Sequence, residues 1–377
     1  MPALETEKTR LPDGGELRKP RILVAPLDWG LGHTTRCIPI IQELVLHGCE
    51  VMIAGNEEQE ILLKKEFPSL SFLPLTGYNI RYANPGHNLL WKMMRQLPRL
   101  KKTIQYERQW LKEKVNEFNF DAVISDNRYG LYHKKIPSIF ITHQLSIKSP
   151  WKWTEKIIQK NNYKYINRFN ECWIPDQEEN NNLSGELSHP EKKPSCTLKY
   201  IGNLSRFKRS GAAEIKDHLL IVLSGPEPQR SIFENLIISQ ISQYDGSATV
   251  VRGLPGSTSV VPSTNSIHFY NHLPSEKLNI EMEKAEFVIA RSGYSTIMDA
   301  AALNKKCILV PTPGQTEQEY LAKYLSEKQM CLVILQKNFS FIKALNTAAE
   351  FSFRFPDAGS GKYLNKTIDY FLTTLSH

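Results

Sequence analysis

Short apolar runs alternate with stretches of helical spacing along most of the chain. In the first half, Arg21–Pro26, Glu50–Ala54, Ser71–Leu75, Asp121–Ser125, Ser138–Thr142 and Glu171–Ile174 are too short for buried helices and are bounded by turn residues, so they predict strands. Between the first two, Ile38, Ile41, Leu44 and Val45 fall on one helical face and Gly48 follows as the C-terminal cap. Pro39 fits that helix only within about its first turn, because deeper in it would remove a backbone donor. A polar stretch without clear period (Asp176–Pro194), a short strand (Leu198–Ile201) and a basic loop (Ser205–Ala212) then mark a boundary. Beyond it the strands His218–Ser224, Ala248–Arg252, Ser266–Tyr270, Phe287–Ala290, Cys307–Pro311 and Cys331–Leu335 are predicted, and Lys362–Leu375 carries Leu364, Ile368, Phe371 and Leu372 in helical register.

This alternation predicts an α/β protein with two Rossmann-like parallel domains facing a cleft, with no repeat between the halves. The expected division is a disordered tail (1–19), a first domain (20–203), a second domain (204–360) and a C-terminal helix (361–377) that packs back on the first domain. With 377 residues the chain can build two cores.

Composition narrows the class. The 41% hydrophobic and 23% charged content is that of a soluble globular protein, and no apolar run reaches the length of a membrane span. The first residues are polar and mixed in charge, without the apolar stretch of a secretory signal. Cys37, Cys49, Cys172, Cys196, Cys307 and Cys331 are scattered with no C-x-x-C spacing, which fits reduced thiols in a cytoplasm and no metal cluster. A net charge of +8 calls for an anionic partner, whether nucleotide diphosphate, acidic membrane or nucleic acid; no nucleic-acid-binding motif accompanies it.

The chemistry concentrates at strand ends. The first strand runs into Asp28-Trp29-Gly30-Leu31-Gly32-His33-Thr34-Thr35-Arg36. Its glycines allow close approach to a ligand, and His33 at a helix start is expected to be neutral and proton-accepting, a candidate general base. The string is not a dinucleotide fingerprint, since Thr35 stands at the third glycine position and no acid closes the second strand. Gly359-Ser360-Gly361-Lys362-Tyr363 lacks the leading glycine and the hydroxyl residue of a phosphate loop.

In the second half, Ser224 and Gly225 end a buried strand and open a helix, with Arg230 close by to neutralise a diphosphate. Arg291-Ser292-Gly293 repeats the arrangement, followed by Thr296 and Asp299 on the helix, where Asp299 can bond a sugar hydroxyl. The loop Thr312–Tyr320 offers Gln315, Glu317, Gln318 and Glu319 beyond the next strand. Asp126, His143 and Gln144 sit at strand ends of the first half and are candidates to position an acceptor. No D-x-D motif is present, so no metal is expected and a leaving diphosphate would be met by helix N-termini and basic side chains. Trp91–Lys102 and Ile147–Arg168 are basic and aromatic enough for peripheral contact with an anionic membrane.

These pieces, Gly30–His33 with its helix, Ser224–Gly225, Arg291-Ser292-Gly293 with Thr296 and Asp299, and Gln318-Glu319, resemble the GT-B glycosyltransferases of the lipid II N-acetylglucosaminyltransferase group (family 28-like). The likeness spans most of Arg21–Leu335. It implies GT-B architecture, an acceptor-binding first domain and a second domain that binds a UDP-sugar. By the same resemblance Ser292 and Gly293 would lie near the diphosphate, Asp299 at the ribose, and Gln318 and Glu319 at the donor sugar. The implied activity is transfer from a UDP-sugar, UDP-N-acetylglucosamine included, to a lipid-linked or glycan acceptor, by a cytoplasmic enzyme on the inner face of the membrane. Glu319 and Asp299 depart from the lipid II enzyme's pattern. Gly-Leu-Gly-His33-Thr-Thr-Arg36-Cys37 also resembles a UDP-sugar hydrolase of nonulosonic acid synthesis, in which the histidine activates water. A UDP-sugar 2-epimerase and a non-catalytic nucleotide-sugar-binding protein remain the other readings.

Overall fold

The computed structural model describes residues 18–78, 89–149, 152–179, 181–354 and 362–375, with the side chains of 89–97 and 152 left out. Most of the expected N-terminal tail, Trp151, the side chains of 91–97 in the basic stretch and Gly359–Gly361 lie outside the described residues.

The first half contains β1 (Arg21–Pro26), α1 (Leu31–Leu46), β2 (Glu50–Gly55), α2 (Glu57–Glu66), β3 (Ser71–Pro74), α3 (Leu89–Phe118), β4 (Ala122–Asp126), β5 (Ser138–Ile141), α4 (Lys152–Ile166), β6 (Glu171–Ile174) and β7 (Thr197–Tyr200). The second contains β8 (Ile215–Val222), α5 (Gln229–Ile241), β9 (Ser247–Val251), β10 (Ile267–Tyr270), α6 (Ser275–Lys284), β11 (Ala285–Ala290), α7 (Tyr294–Leu303), β12 (Cys307–Leu309), α8 (Thr316–Glu327), β13 (Leu332–Val333), α9 (Phe341–Glu350) and α10 (Lys362–Leu375). Every strand expected from the apolar runs is present, the last shortened to two residues.

Two sheets form, and every strand pairing in them is parallel. Their orders are β3-β2-β1-β4-β5-β6-β7 and β10-β9-β8-β11-β12-β13. Both sheets reverse direction of winding between their central strands, β1 with β4 and β8 with β11. At such a switch point the loops leaving adjacent strands splay apart and open a crevice at the carboxyl edge. The buried patterns of β4 and of β1 beyond half-buried Arg21 follow from helices on both faces, which is why these strands read as continuous apolar runs rather than alternating ones.

Pro39 departs from expectation. The helix begins at Leu31, so the proline lies in its third turn. Burial of Cys37, Ile38, Ile40, Ile41 and Leu44 against β1 and β2 offsets the lost backbone bond. Gly48 does close the helix, at φ 78°, with its N–H on the Val45 carbonyl.

The helix α10 lies on the first domain. Leu364, Ile368 and Phe371 are buried, Phe371 meets Trp173 of β6 edge-on at 5.5 Å, and His47 after α1 bonds Asp369 at 2.7 Å. Among the described residues no helix is long and apolar enough to cross a membrane.

Candidate active site

The loop after β1 and the end of β4 meet at the switch point of the first sheet. His33 is the third residue of α1, and Asp126 is the last of β4. Residues three apart share a helix face, so His33 and Arg36 both project toward Asp126. Asp126 is wholly buried, with Oδ2 3.1 Å from His33 Nδ1 and 2.8 Å from Arg36 Nε; a second Arg36 nitrogen bonds Oδ1, and Cys37 Sγ lies 3.7 Å from Oδ2. Burial alone would raise this carboxyl's pKa, but Arg36 and His33 more than reverse it and hold the group ionised well below the usual carboxylate range. Burial, then Arg36, push the His33 pKa down, against the opposing pull of Asp126. His33 is therefore neutral around pH 7, in a side chain that keeps 15% of its surface exposed.

The network continues across the cleft. Arg36 lies 2.9 Å from His143 Nδ1, and His143 Nε2 lies 2.7 Å from Glu317 Oε1 at the start of α8. The His143 ring stacks on Tyr294, centroids 4.2 Å apart, and Tyr294 donates to the Pro175 carbonyl. Ser295 donates to the carbonyl of Gly32 at 2.9 Å, and a Cβ on Gly32 would come within 2.9 Å of that same hydroxyl. A side chain at position 32 would displace that hydroxyl from its bond between α1 and α7. Gln144 holds its place through backbone bonds to Thr142 and Asn162.

Three helix N-termini border the crevice of the second sheet. Gly293 precedes α7 with open space where a side chain would be, Gln315 precedes α8, and Ser224–Gly225 lead toward α5. Gly225 has φ 104°, a conformation open chiefly to glycine, and its missing Cβ would stand 4.0 Å from Thr312 Oγ1. Thr312 Oγ1 and Gln315 Oε1 are buried and unpaired among the described residues. Such orphaned acceptors and donors at a sheet edge are ready partners for a polar ligand. The N-termini of α7 and α8 add a positive end at the same edge, whereas that of α5 is capped by the Pro226 carbonyl and the Glu227 carboxylate. Thr296 lies on the exposed side of the first turn of α7, half-buried.

Several expected donor contacts are engaged with protein instead. Arg230 is buried and its guanidinium is taken up by Glu227 and Glu234, the latter at 3.0 Å, so its charge is not free for a diphosphate. Arg291 is fully buried; it donates to the carbonyls of Val310 and Gln229 and stacks over Phe233, tying the ends of β11 and β12 to α5. Ser292 donates to the Gln318 carbonyl, Gln318 Oε1 accepts from Thr312 N, and Glu319 Oε1 accepts from Gly314 N. These three shape the loops around the crevice. Asp299 accepts from Ser205 Oγ at 2.7 Å and stands 4.0 Å from Arg206; burial raises its pKa to about 6.

Tyr294 and Ser295 were not singled out from the sequence; Arg36 entered only in the hydrolase-like string and Thr312 only as the start of the polar loop. The i, i+3 spacing of His33 and Arg36 was a usable signal for a shared role. Tyr294 and Ser295 act across the cleft, and local pattern carries no trace of that. Among the described residues, no group of three or more His, Cys, Asp or Glu side chains could hold a metal ion.

Comparison with known proteins bears on the fold and the family. The profile of the glycosyltransferase family 28 C-terminal domain matches residues 259–354. The chain is 24% identical over 338 residues, 82% of its length and 84% of the relative's, to an uncharacterized glycosyltransferase of Methanosarcina acetivorans. Over 99 residues, 26% of this chain and 25% of the other, it is 36% identical to the UDP-N-acetylglucosamine–N-acetylmuramyl-(pentapeptide) pyrophosphoryl-undecaprenol N-acetylglucosamine transferase of Desulforudis audaxviator. The crystal structure of the kitacinnamycin glycosyltransferase superposes with a TM-score of 0.65 at 12% identity, covering 95% of this chain and all of that one. The two-domain architecture is the GT-B fold.

Proposed function

We propose that this chain, a glycosyltransferase of GT-B fold with a family 28 C-terminal domain, transfers a hexosyl group from a UDP-sugar to a hydroxyl of a glycan or lipid-linked acceptor, with His33 as general base and no metal ion. The observation that carries this reading is the His33–Asp126 pair at the first switch point, facing the N-termini of α7 and α8 from the second. UDP-N-acetylglucosamine is the donor favoured by the stretch shared with the Desulforudis enzyme.

In the proposed step the acceptor hydroxyl gives its proton to His33 Nε2 and its oxygen attacks C1 of the donor sugar. The bond from C1 to the diphosphate oxygen breaks, and UDP leaves with the electron pair. Asp126 accepts from Nδ1–H and stabilises the imidazolium. Ser224, Gly225, Gly293 and the α7 N-terminus meet the diphosphate, with Thr312 and Gln315 supplying unpaired polar atoms beside it. Asp299 would take the ribose only by giving up part of its bonding to Ser205. The acceptor enters from the first domain, where a shallow hollow of about 220 Å³ lined by Thr76, Gly77, Lys102, Thr103 and Tyr106 opens. Exposed Arg99, Lys101 and Lys102 on α3 support a peripheral seat on the anionic inner face of a membrane.

The test is UDP release by purified protein with a panel of UDP-sugars, with and without a lipid and glycan acceptor mixture, in EDTA, beside His33→Ala. Acceptor-dependent release that persists in EDTA and falls about 100-fold or more in the variant is expected. Release of free sugar without acceptor would favour the hydrolase, and sugar-nucleotide binding without turnover would favour a sensor.

A further inference from the structure

Arg36 stands where two assignments of His33 compete. Its second guanidinium nitrogen lies 2.8 Å from His33 Nδ1, and Asp126 Oδ2 lies 3.1 Å from the same atom. A guanidinium can only donate and a carboxylate can only accept, so the two partners require opposite states of Nδ1. Bonded to Arg36, Nδ1 is a bare acceptor and the ring's proton sits on Nε2, which has no protein partner among the described residues and cannot take a proton. Bonded to Asp126, Nδ1 carries the proton and Nε2 is free to act as a base.

The shorter contact to His33 Nδ1, 2.8 Å from Arg36 against 3.1 Å from Asp126, favours the first assignment, and His143 meets the same constraint. Arg36 reaches its Nδ1 at 2.9 Å, so that ring also keeps its proton on Nε2, and there Glu317 Oε1 accepts it at 2.7 Å. The fork of Arg36 is thereby fixed on three sides, by Asp126, by His143 and by the His33 ring. Glu317 belongs to the second domain, 174 residues from His143, so the anchoring depends on the two domains being seated together.

We propose that Arg36 is a positioning residue that selects the tautomer of His33, and that Glu317 sets Arg36 through His143. While Arg36 holds Nδ1, His33 is silent as a base and water in the cleft is not activated; when Arg36 yields Nδ1 to Asp126, Nε2 opens. This rests on the reading of His33 as the base. The charged and titratable groups facing the ring are Arg36 on its own helix, Asp126 on β4, His143 after β5 and, one bond further, Glu317 on α8.

The first test does not depend on activity. Long-range proton–nitrogen NMR of ligand-free protein carrying 15N-histidine should show both His33 and His143 with protonated Nε2 and bare Nδ1. A His33 with protonated Nδ1 would overturn the proposal. The same spectra would decide it even if no sugar nucleotide were turned over, an outcome that sinks the transferase reading instead.

In Glu317→Leu, at a partly exposed position, the His33 resonances should move toward protonated Nδ1. The acid limb of kcat should shift upward in pH with the donor KM unchanged, and Glu317→Gln, which still accepts from Nε2–H, should restore both. Arg36→Lys keeps a cation at Asp126 but loses the fork, and should raise donor hydrolysis relative to transfer by about tenfold or more. A changed donor KM with an unmoved pH limb would make Glu317 a donor contact and end the proposal.

Discussion

At the residue scale the decisive group is Asp126, because one buried carboxylate serves both a guanidinium and an imidazole. Arg36 neutralises it and His33 borrows its orientation. Asp126→Asn leaves a buried guanidinium without its counter-ion. It should cost roughly 3–5 kcal/mol in urea unfolding, and kcat should fall even at temperatures where the variant stays folded. The pH dependence follows from His33. Its pKa lies below 6.5 because burial and Arg36 outweigh Asp126, so kcat/KM should stay level through neutrality and fall only below pH 6.5. The folded chain binds fewer protons there than the unfolded one, so His33 also subtracts stability as pH falls through that range. Asp299 has the opposite sign. Its pKa near 6 exceeds the ordinary carboxyl value, so the fold holds a proton that the unfolded chain has lost. Its contribution to stability should decline as pH rises from about 4 to about 6 and then level off. Asp299→Asn should remove that slope from a series of melting curves; an unchanged slope would place its origin elsewhere.

At the element scale the strands were the most legible part of the chain. A buried parallel strand must be a short apolar run, and each of the thirteen expected strands is present among the described residues, although the edge strands β3 and β7 carry no buried residue. Helix α1 was legible only from Ile38 onward, since Gly, His, Thr and Arg in its first two turns show no apolar period. Its true start at Leu31 therefore put Pro39 deeper than expected. The amphipathic spacing of Lys362–Leu375 showed α10 directly. What it covers was not local information, because Trp173 and His47 are far away in sequence. Phe371→Ala should destabilise the chain by about 3–5 kcal/mol, read from urea unfolding with Trp173 as a fluorescent reporter. A loss near zero would mean that α10 is not seated on the first domain in solution.

At the scale of the whole molecule the sequence showed two halves and their ligand-facing edges, but not how the halves meet. Glu317 with His143, Ser295 with Gly32 and Tyr294 with Pro175 join segments more than a hundred residues apart. The same distance explains why Arg230 read as a diphosphate ligand and Arg291 as a donor contact. A basic residue at a strand end looks the same whether its partner is a phosphate or a carboxylate and carbonyls supplied by other elements. The assembled cleft sets His33 on one wall and helix N-termini on the other, the arrangement that the proposed single in-line displacement requires. The most direct measurement is the anomeric configuration of the product formed from an α-linked UDP-sugar, read from the C1 proton coupling by NMR. Displacement driven by His33 requires inversion to the β-linked product; a retained α linkage would contradict the account.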